Sequence, residues 1–120
     1  MNKSKQQGCQ AELQALNYLR NAGLIPIHQN YHSKRGEIDL IMADGDSLVF
    51  IEVRYRKSDR FGSAIESVNA QKQLRIVQTA EYFLLKNKTK YRNYRFDVIA
   101  ISPTGHENNI TWIKDAFQLN

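Results

Sequence analysis

Residues 36–56 constrain this chain more than any other stretch. Two apolar runs, Ile38–Met42 and Leu48–Val53, flank Ala43-Asp44-Gly45-Asp46. Asp and Gly tolerate the positive φ that tight hairpin turns require, so the segment predicts two antiparallel strands. Both runs are almost continuously apolar, the pattern of strands covered on both faces. Each still carries one carboxylate, Asp39 and Glu52. A charge in such surroundings is costly unless something compensates it.

Side chains alternate along a strand, so Glu37, Asp39 and Ile41 share one face, as do Phe50, Glu52 and Arg54. An even-numbered loop puts Asp39 and Glu52 on the same side of the sheet. A four-residue loop, Asp44–Ser47, would set them directly opposite, and a two-residue loop would set them on a diagonal. An odd loop without a bulge would separate them. Two converging carboxylates repel, so one takes a proton or a cation lies between them. Carboxylate oxygens suit Mg²⁺ or Mn²⁺. Such an ion can polarise a phosphate and activate water. The plainer alternative is salt bridging of Asp39 and Glu52 with Arg54, Arg56 or Lys34.

The remaining chain is read around this hairpin. Its 120 residues fit a single domain, 1–120, large enough for a core. No apolar stretch is long enough to span a membrane. The polar start, Met1–Gln10, has no signal-like apolar region, and a single cysteine, Cys9, fits a reducing compartment, so a cytoplasmic location is expected. A net charge of +5 suggests a polyanionic partner.

Apolar spacing predicts a first helix over residues 4–22, stopped by Gly23, with Glu12 beside its apolar stripe. Leu24–Tyr31 reads as a strand that Pro26 confines to an edge or a strand start. His28 and His32 do not make a zinc pattern with Cys9 or His106. Ser33-Lys34-Arg35-Gly36 is a basic turn leading into the hairpin. After the hairpin, residues 54–62 mix Arg54, Arg56, Lys57 and Arg60 with Tyr55 and Phe61, a composition that suits phosphate contacts and base stacking, or a plain surface loop.

A second helix is expected over 67–87, capped by Ser67 or Asn69. Lys72 in its first turns opposes the helix dipole, which hints at a task other than stability. Lys86, Lys88, Lys90, Arg92 and Arg95 form a basic run, for which a solvated linker is the simplest reading. Phe96–Ile101 is another buried strand, containing Asp97. Pro103-Thr104-Gly105 reads as a turn, Ile110–Ile113 as a short last strand, and Asp115–Asn120 as a tail with one helical turn. The order predicts an antiparallel three-stranded meander, then a helical crossover to a strand parallel to the third.

Gly36-Glu37-Ile38-Asp39-Leu40-Ile41, Val49-Phe50-Ile51-Glu52-Val53-Arg54-Tyr55-Arg56, Lys72-Gln73-x-Arg75-Ile76 and Arg95-Phe96-Asp97-Val98 together resemble the YraN family of small bacterial proteins. That family looks like a member of the PD-(D/E)XK, or restriction-endonuclease-like, fold group, with archaeal-type Holliday-junction resolvases as its nearest functional relatives by pattern. The resemblance implies an α/β fold with an αβββαβ core, a mixed sheet with a helix on each face. It implies a Mg²⁺ or Mn²⁺ site in which Glu12 matches the helix acid, Asp39 the second-strand acid and Glu52 the third-strand acid. Where the fold group has a lysine, this chain has Arg54, which stays charged and cannot act as a base. Lys72 could supply a lysine from the second helix.

The leading expectation is thus a metal-dependent endonuclease acting on DNA, branched DNA included. Glu12, Asp39 and Glu52 would hold metal, Arg54 and Lys72 would serve the reaction, and Lys34, Arg35, Arg56, Lys57 and Arg60 would contact phosphates. The rival is a non-catalytic nucleic-acid-binding domain in which Arg54 takes the metal's place. A protein-interaction module on the same fold is a third reading. Resolvase-like activity would require a symmetric homodimer, for which the final strand near Trp112 is the candidate surface.

Overall fold

Strands in this chain pair in the order in which they are made. The computed structural model describes residues 3–56, 64–104 and 107–118. Helix α1 (Lys3–Asn21) leads to β1 (Ile25–Ser33), β2 (Gly36–Asp44) and β3 (Ser47–Tyr55). A short helix α2 (Ala64–Ser67), the long α3 (Ala70–Lys86), β4 (Asn93–Thr104) and β5 (Glu107–Phe117) follow. One sheet runs β1-β2-β3-β4-β5. Only the β3–β4 pair is parallel, joined by the α3 crossover. This is the expected αβββαβ core with one further antiparallel strand, β5, on its edge.

Each helix covers one face. α1 packs Ala11, Ala15, Leu16 and Leu19 on Leu40, Met42, Val49, Ile51, Ile99 and Ile101. α3 packs Ile76, Val77, Ala80 and Phe83 on Ile41, Phe50, Phe96 and Val98. Coverage on both sides is the reason β2 and β3 read as unbroken apolar runs. α1 stops where Gly23 turns to φ +103. There Leu24 N–H bonds Leu19 O and Gly23 N–H bonds Arg20 O, the paired closure of a left-handed helix end.

Asp44 pairs with Ser47, leaving Gly45-Asp46 as a two-residue loop with Gly45 at φ +59. A two-residue loop was expected to leave Asp39 and Glu52 on a diagonal. It does not, because the loop is centred on Gly45-Asp46 rather than on Asp44-Gly45. The ladder ends at Leu40–Ile51, and one further step aligns Asp39 with Glu52.

Other boundaries differ from expectation. Asn69, not Ser67, caps the long helix, its side chain accepting from Lys72 N–H at 2.9 Å. Ser67 instead ends the separate turn α2. Pro103 and Thr104 lie inside β4 rather than in a turn, while Gly105 lies outside the described residues. β5 extends to Phe117, where a tail with a helical turn was expected. The cause is long-range. Asp97, fully buried, accepts Asp115 N–H at 2.9 Å and fixes Asp115 at φ +52, so the strand kinks and continues. Phe117 then stacks on Phe96, with centroids 5.1 Å apart. Pro26 does lie on an edge strand, and the β1–β2 ladder shifts beside it, between Pro26 and His28.

Candidate functional site

Asp39 sits where β2 parts from β3 and skips one pair with β1. On one side the β3 ladder has ended at Leu40–Ile51. On the other, the β1 ladder passes from Gln29–Leu40 to Tyr31–Ile38 without joining Asn30 to Asp39. Asn30 there has φ +52, a conformation Asn tolerates better than most residues. Side-chain alternation slips at the same place: Ile38 joins Ile41 in the core beneath α3, while Leu40 and Met42 face α1. The Asp39 carboxylate fills the resulting fork, Oδ2 accepting Val53 N–H at 2.8 Å.

The other acids reach this fork from separate elements. Glu12, half-buried on α1, hydrogen-bonds with Asp39 and with Asn30. Burial raises its pKa, the charges of Glu37 and Glu52 add to the rise, and the two hydrogen bonds work against it. Asp39 is pushed up to about 8 by burial first and by the negative charge of Glu52 second, with Glu12 and Glu37 adding to it. The Val53 N–H bond opposes this without overcoming it. Glu52, buried at the far end of β3, meets Lys72 Nζ at 3.0 Å through Oε1. Arg54 Nη1 lies 3.7 Å from the same oxygen, and its Nε donates to Ser67 Oγ at 3.0 Å. Lys72 reaches Glu52 because the Asn69 cap starts α3 beside the end of β3.

The fold therefore brings together Glu12, Asp39, Glu52, Arg54 and Lys72. Lys34 and Arg35 sit exposed on the turn between β1 and β2, close by rather than within the cluster. Arg56 is half-buried just past β3, its N–H bonded to Ile101 O at 2.8 Å. Lys57 and Arg60 lie outside the described residues. A cavity of about 320 Å³ opens beside Glu52 and Lys72, walled by Gly36, Glu37, Asn69 and Arg75. A second, shallower recess of about 490 Å³ shares Gly36, Glu37 and Arg75 with it and continues past Lys34 and Arg35. Trp112, half-exposed on the last strand, donates its indole N–H to Asp97 Oδ2 at 2.9 Å, and Tyr18 packs edge-on against its ring.

Asn30 and Arg75 were not singled out as site residues, although both face the acids. Arg75 lies one helical turn beyond Lys72, a spacing that could have marked it. Nothing local marks Asn30, whose place depends on the break in the β1 ladder.

The donor set is all oxygen, which suits a hard divalent ion such as Mg²⁺ or Mn²⁺. Among the described residues no three His, Cys, Asp or Glu side chains are already gathered into a metal cage. Glu12 is bonded to Asp39, and Glu52 is held by Lys72. The chemistry of the acids fits such an ion, and the proton and the ammonium group are what it would have to displace.

Fold and site together define a mixed α/β domain with an acidic cluster lodged where two central strands part. Residues 11–101 match the model of the uncharacterised protein family UPF0102, and the chain belongs to that family, the one its motifs point to as YraN. It is 49% identical to the UPF0102 protein of Saccharophagus degradans over 122 residues, covering 100% of this chain and 99% of the relative. It is 45% identical to that of Nitrosococcus oceani over 116 residues, covering 96% and 94%. With the UPF0102 protein of Aliivibrio fischeri it shares 50% over 107 residues, covering 88% and 85%.

Proposed function

We propose that this protein is a Mg²⁺- or Mn²⁺-dependent nuclease that hydrolyses phosphodiester bonds in DNA, with branched DNA among its substrates. The observation that carries the reading is the convergence of three acids from three elements, Glu12 hydrogen-bonded to Asp39 and Glu52 close enough that its charge, with burial, pushes Asp39 up to about 8. A carboxylate so costly to ionise belongs to a site short of positive charge. Glu12, Asp39 and Glu52 would hold the ion. When bound, it would polarise a phosphoryl oxygen and make water more acidic. Lys72, released from Glu52, is placed to meet a phosphate at the mouth of the cavity. Arg54 cannot take a proton from water, so its part is to stabilise charge developing on the phosphate.

One observation favours a second reading, a DNA-binding domain without cleavage. Lys72 and Arg54 already set two positive charges against Glu52, the role a metal would fill. Calorimetric titration of Mn²⁺ into the wild type and into Asp39→Asn and Glu52→Gln, with and without branched DNA, separates the two. Mn²⁺ binding lost in both variants, with Mn²⁺-dependent cleavage by the wild type, supports the nuclease. DNA binding that survives chelator and both substitutions, with no cleavage, supports the binding domain.

A further inference from the structure

The basic turn between β1 and β2 is fastened to α3 by contacts that nothing in the acidic cluster needs. Ser33 Oγ is their hub. It accepts Arg35 N–H at 3.1 Å and lies 3.2 Å from Thr79 Oγ1 and 3.4 Å from Gly36 O. Thr79, fully buried, donates its own proton to Arg75 O at 2.8 Å. Gly36 lies in van der Waals range of the helix: a Cβ there would stand 3.4 Å from Arg75 Cβ and 3.5 Å from Thr79 Oγ1. The turn thus rests on the helix at Arg75 and Thr79.

The consequence is a cluster of charge. Lys34, Arg35 and Arg75, all exposed, line one recess of about 490 Å³. Among the described residues none of the three makes an ion pair with a carboxylate. Glu37, the acid on the rim, is turned to His32 Nδ1 at 3.3 Å. Three positive side chains against one carboxylate, Glu37, leave the recess with a net positive charge that favours an anion. The recess opens into the cavity beside Glu52 and Lys72 through shared walls at Gly36, Glu37 and Arg75.

We propose that Lys34, Arg35 and Arg75 form a phosphate subsite for the backbone of the DNA strand whose neighbouring phosphodiester enters the acidic cluster, with Ser33, Thr79 and Gly36 as its positioning residues. This rests on the DNA-binding reading above and names how that site would hold its substrate.

The test is the salt dependence of affinity, read by fluorescence anisotropy on a short labelled DNA strand with chelator present. The Lys34→Gln/Arg35→Gln/Arg75→Gln protein should bind with a slope of log K against log salt that is shallower by about 2, since each phosphate contact on a single strand contributes about 0.7. Lys88→Gln/Lys90→Gln/Arg92→Gln removes the same net charge at the other end of α3 and should leave the slope unchanged. Arg75→Lys in the otherwise native protein should keep the full slope, showing that charge and not folding is read. An unchanged slope in the first variant, or an equal loss in the distal one, overturns the subsite and leaves the nuclease reading standing. Neither binding nor cleavage of DNA by the wild type at low salt, in chelator and in Mn²⁺ alike, overturns both.

Discussion

Asp39 shows what a single residue can reveal. Its native pKa of about 8 lies above the ordinary 3.8, so between those values the folded protein keeps a proton that the unfolded chain has lost. Stability therefore falls as pH rises from about 4 to about 8, and the loss is complete above that range. Asn at this position is neutral throughout and keeps an oxygen for Val53 N–H. Urea denaturation in chelator should find the wild type less stable at pH 9 than at pH 5. Asp39→Asn should be close to the wild type at pH 5 and more stable than it at pH 9 by about 4 kcal/mol, three pH units of linkage at about 1.4 kcal/mol each. A wild type equally stable at both pH values would refute the buried charge. At this scale Asp39 and Glu52 were legible because a carboxylate in an apolar run is anomalous without any structure. Glu12 was not legible from periodicity, where it passes for a solvated helix acid; only the motif resemblance raised it. Asn30 was invisible, since its place depends on a broken ladder.

Elements were read well where their causes are local. The Asp-Gly turn, the Gly23 stop and the two helix faces are written in adjacent residues, and the meander followed from them. Failures came where one element fixes another. β5 continues past its kink only because Asp97 on β4 holds Asp115, and no window of sequence contains both. Asp97 also takes Arg95 Nε at 3.0 and 3.2 Å and Trp112 N–H at 2.9 Å, while Arg95 reaches Asp44 at 2.8 Å. The Arg95-Phe96-Asp97-Val98 motif thus ties β4, β5 and the hairpin end together. Asp97→Ala would leave Arg95 and the indole N–H without their buried partner, and should cost about 3–5 kcal/mol in denaturant unfolding. The same substitution should leave Mn²⁺ affinity of the folded protein unchanged, which titration below the melting range would check. At the start of α3, Asn69→Ala should cost about 1 kcal/mol by removing the cap. It should also loosen the Lys72–Glu52 pair, because the cap bond is made to Lys72's own N–H.

The whole molecule sets a core covered on both faces around the point where β2 and β3 part. Sheet order and helix placement were legible from the order of elements and the right-handed crossover rule; the fork was not, because it arises from two ladders failing at one residue. Among the described residues no helix is long and apolar enough to cross a membrane. What the arrangement leaves is a surplus of negative charge at the end of the central strands, offset by the proton that burial keeps on Asp39 and by Lys72 and Arg54. A divalent ion entering that fork has to compete with the proton. Binding should therefore strengthen as pH rises towards 8 and should release protons as it occurs. Mn²⁺ titrations at pH 7 in buffers of different ionisation enthalpy should give apparent enthalpies that differ by about one proton's worth per ion. At pH 9, where Asp39 is already ionised, that difference should fall towards zero. Thermal melts offer the same contrast, because an ion at 100 times its dissociation constant adds about 2.7 kcal/mol to the folded state. Melting shifts that are absent at both pH values, with no buffer-dependent heat, would mean that Lys72 and Arg54 hold the fork against metal. The acids would then serve to orient those cations toward DNA rather than to cut it.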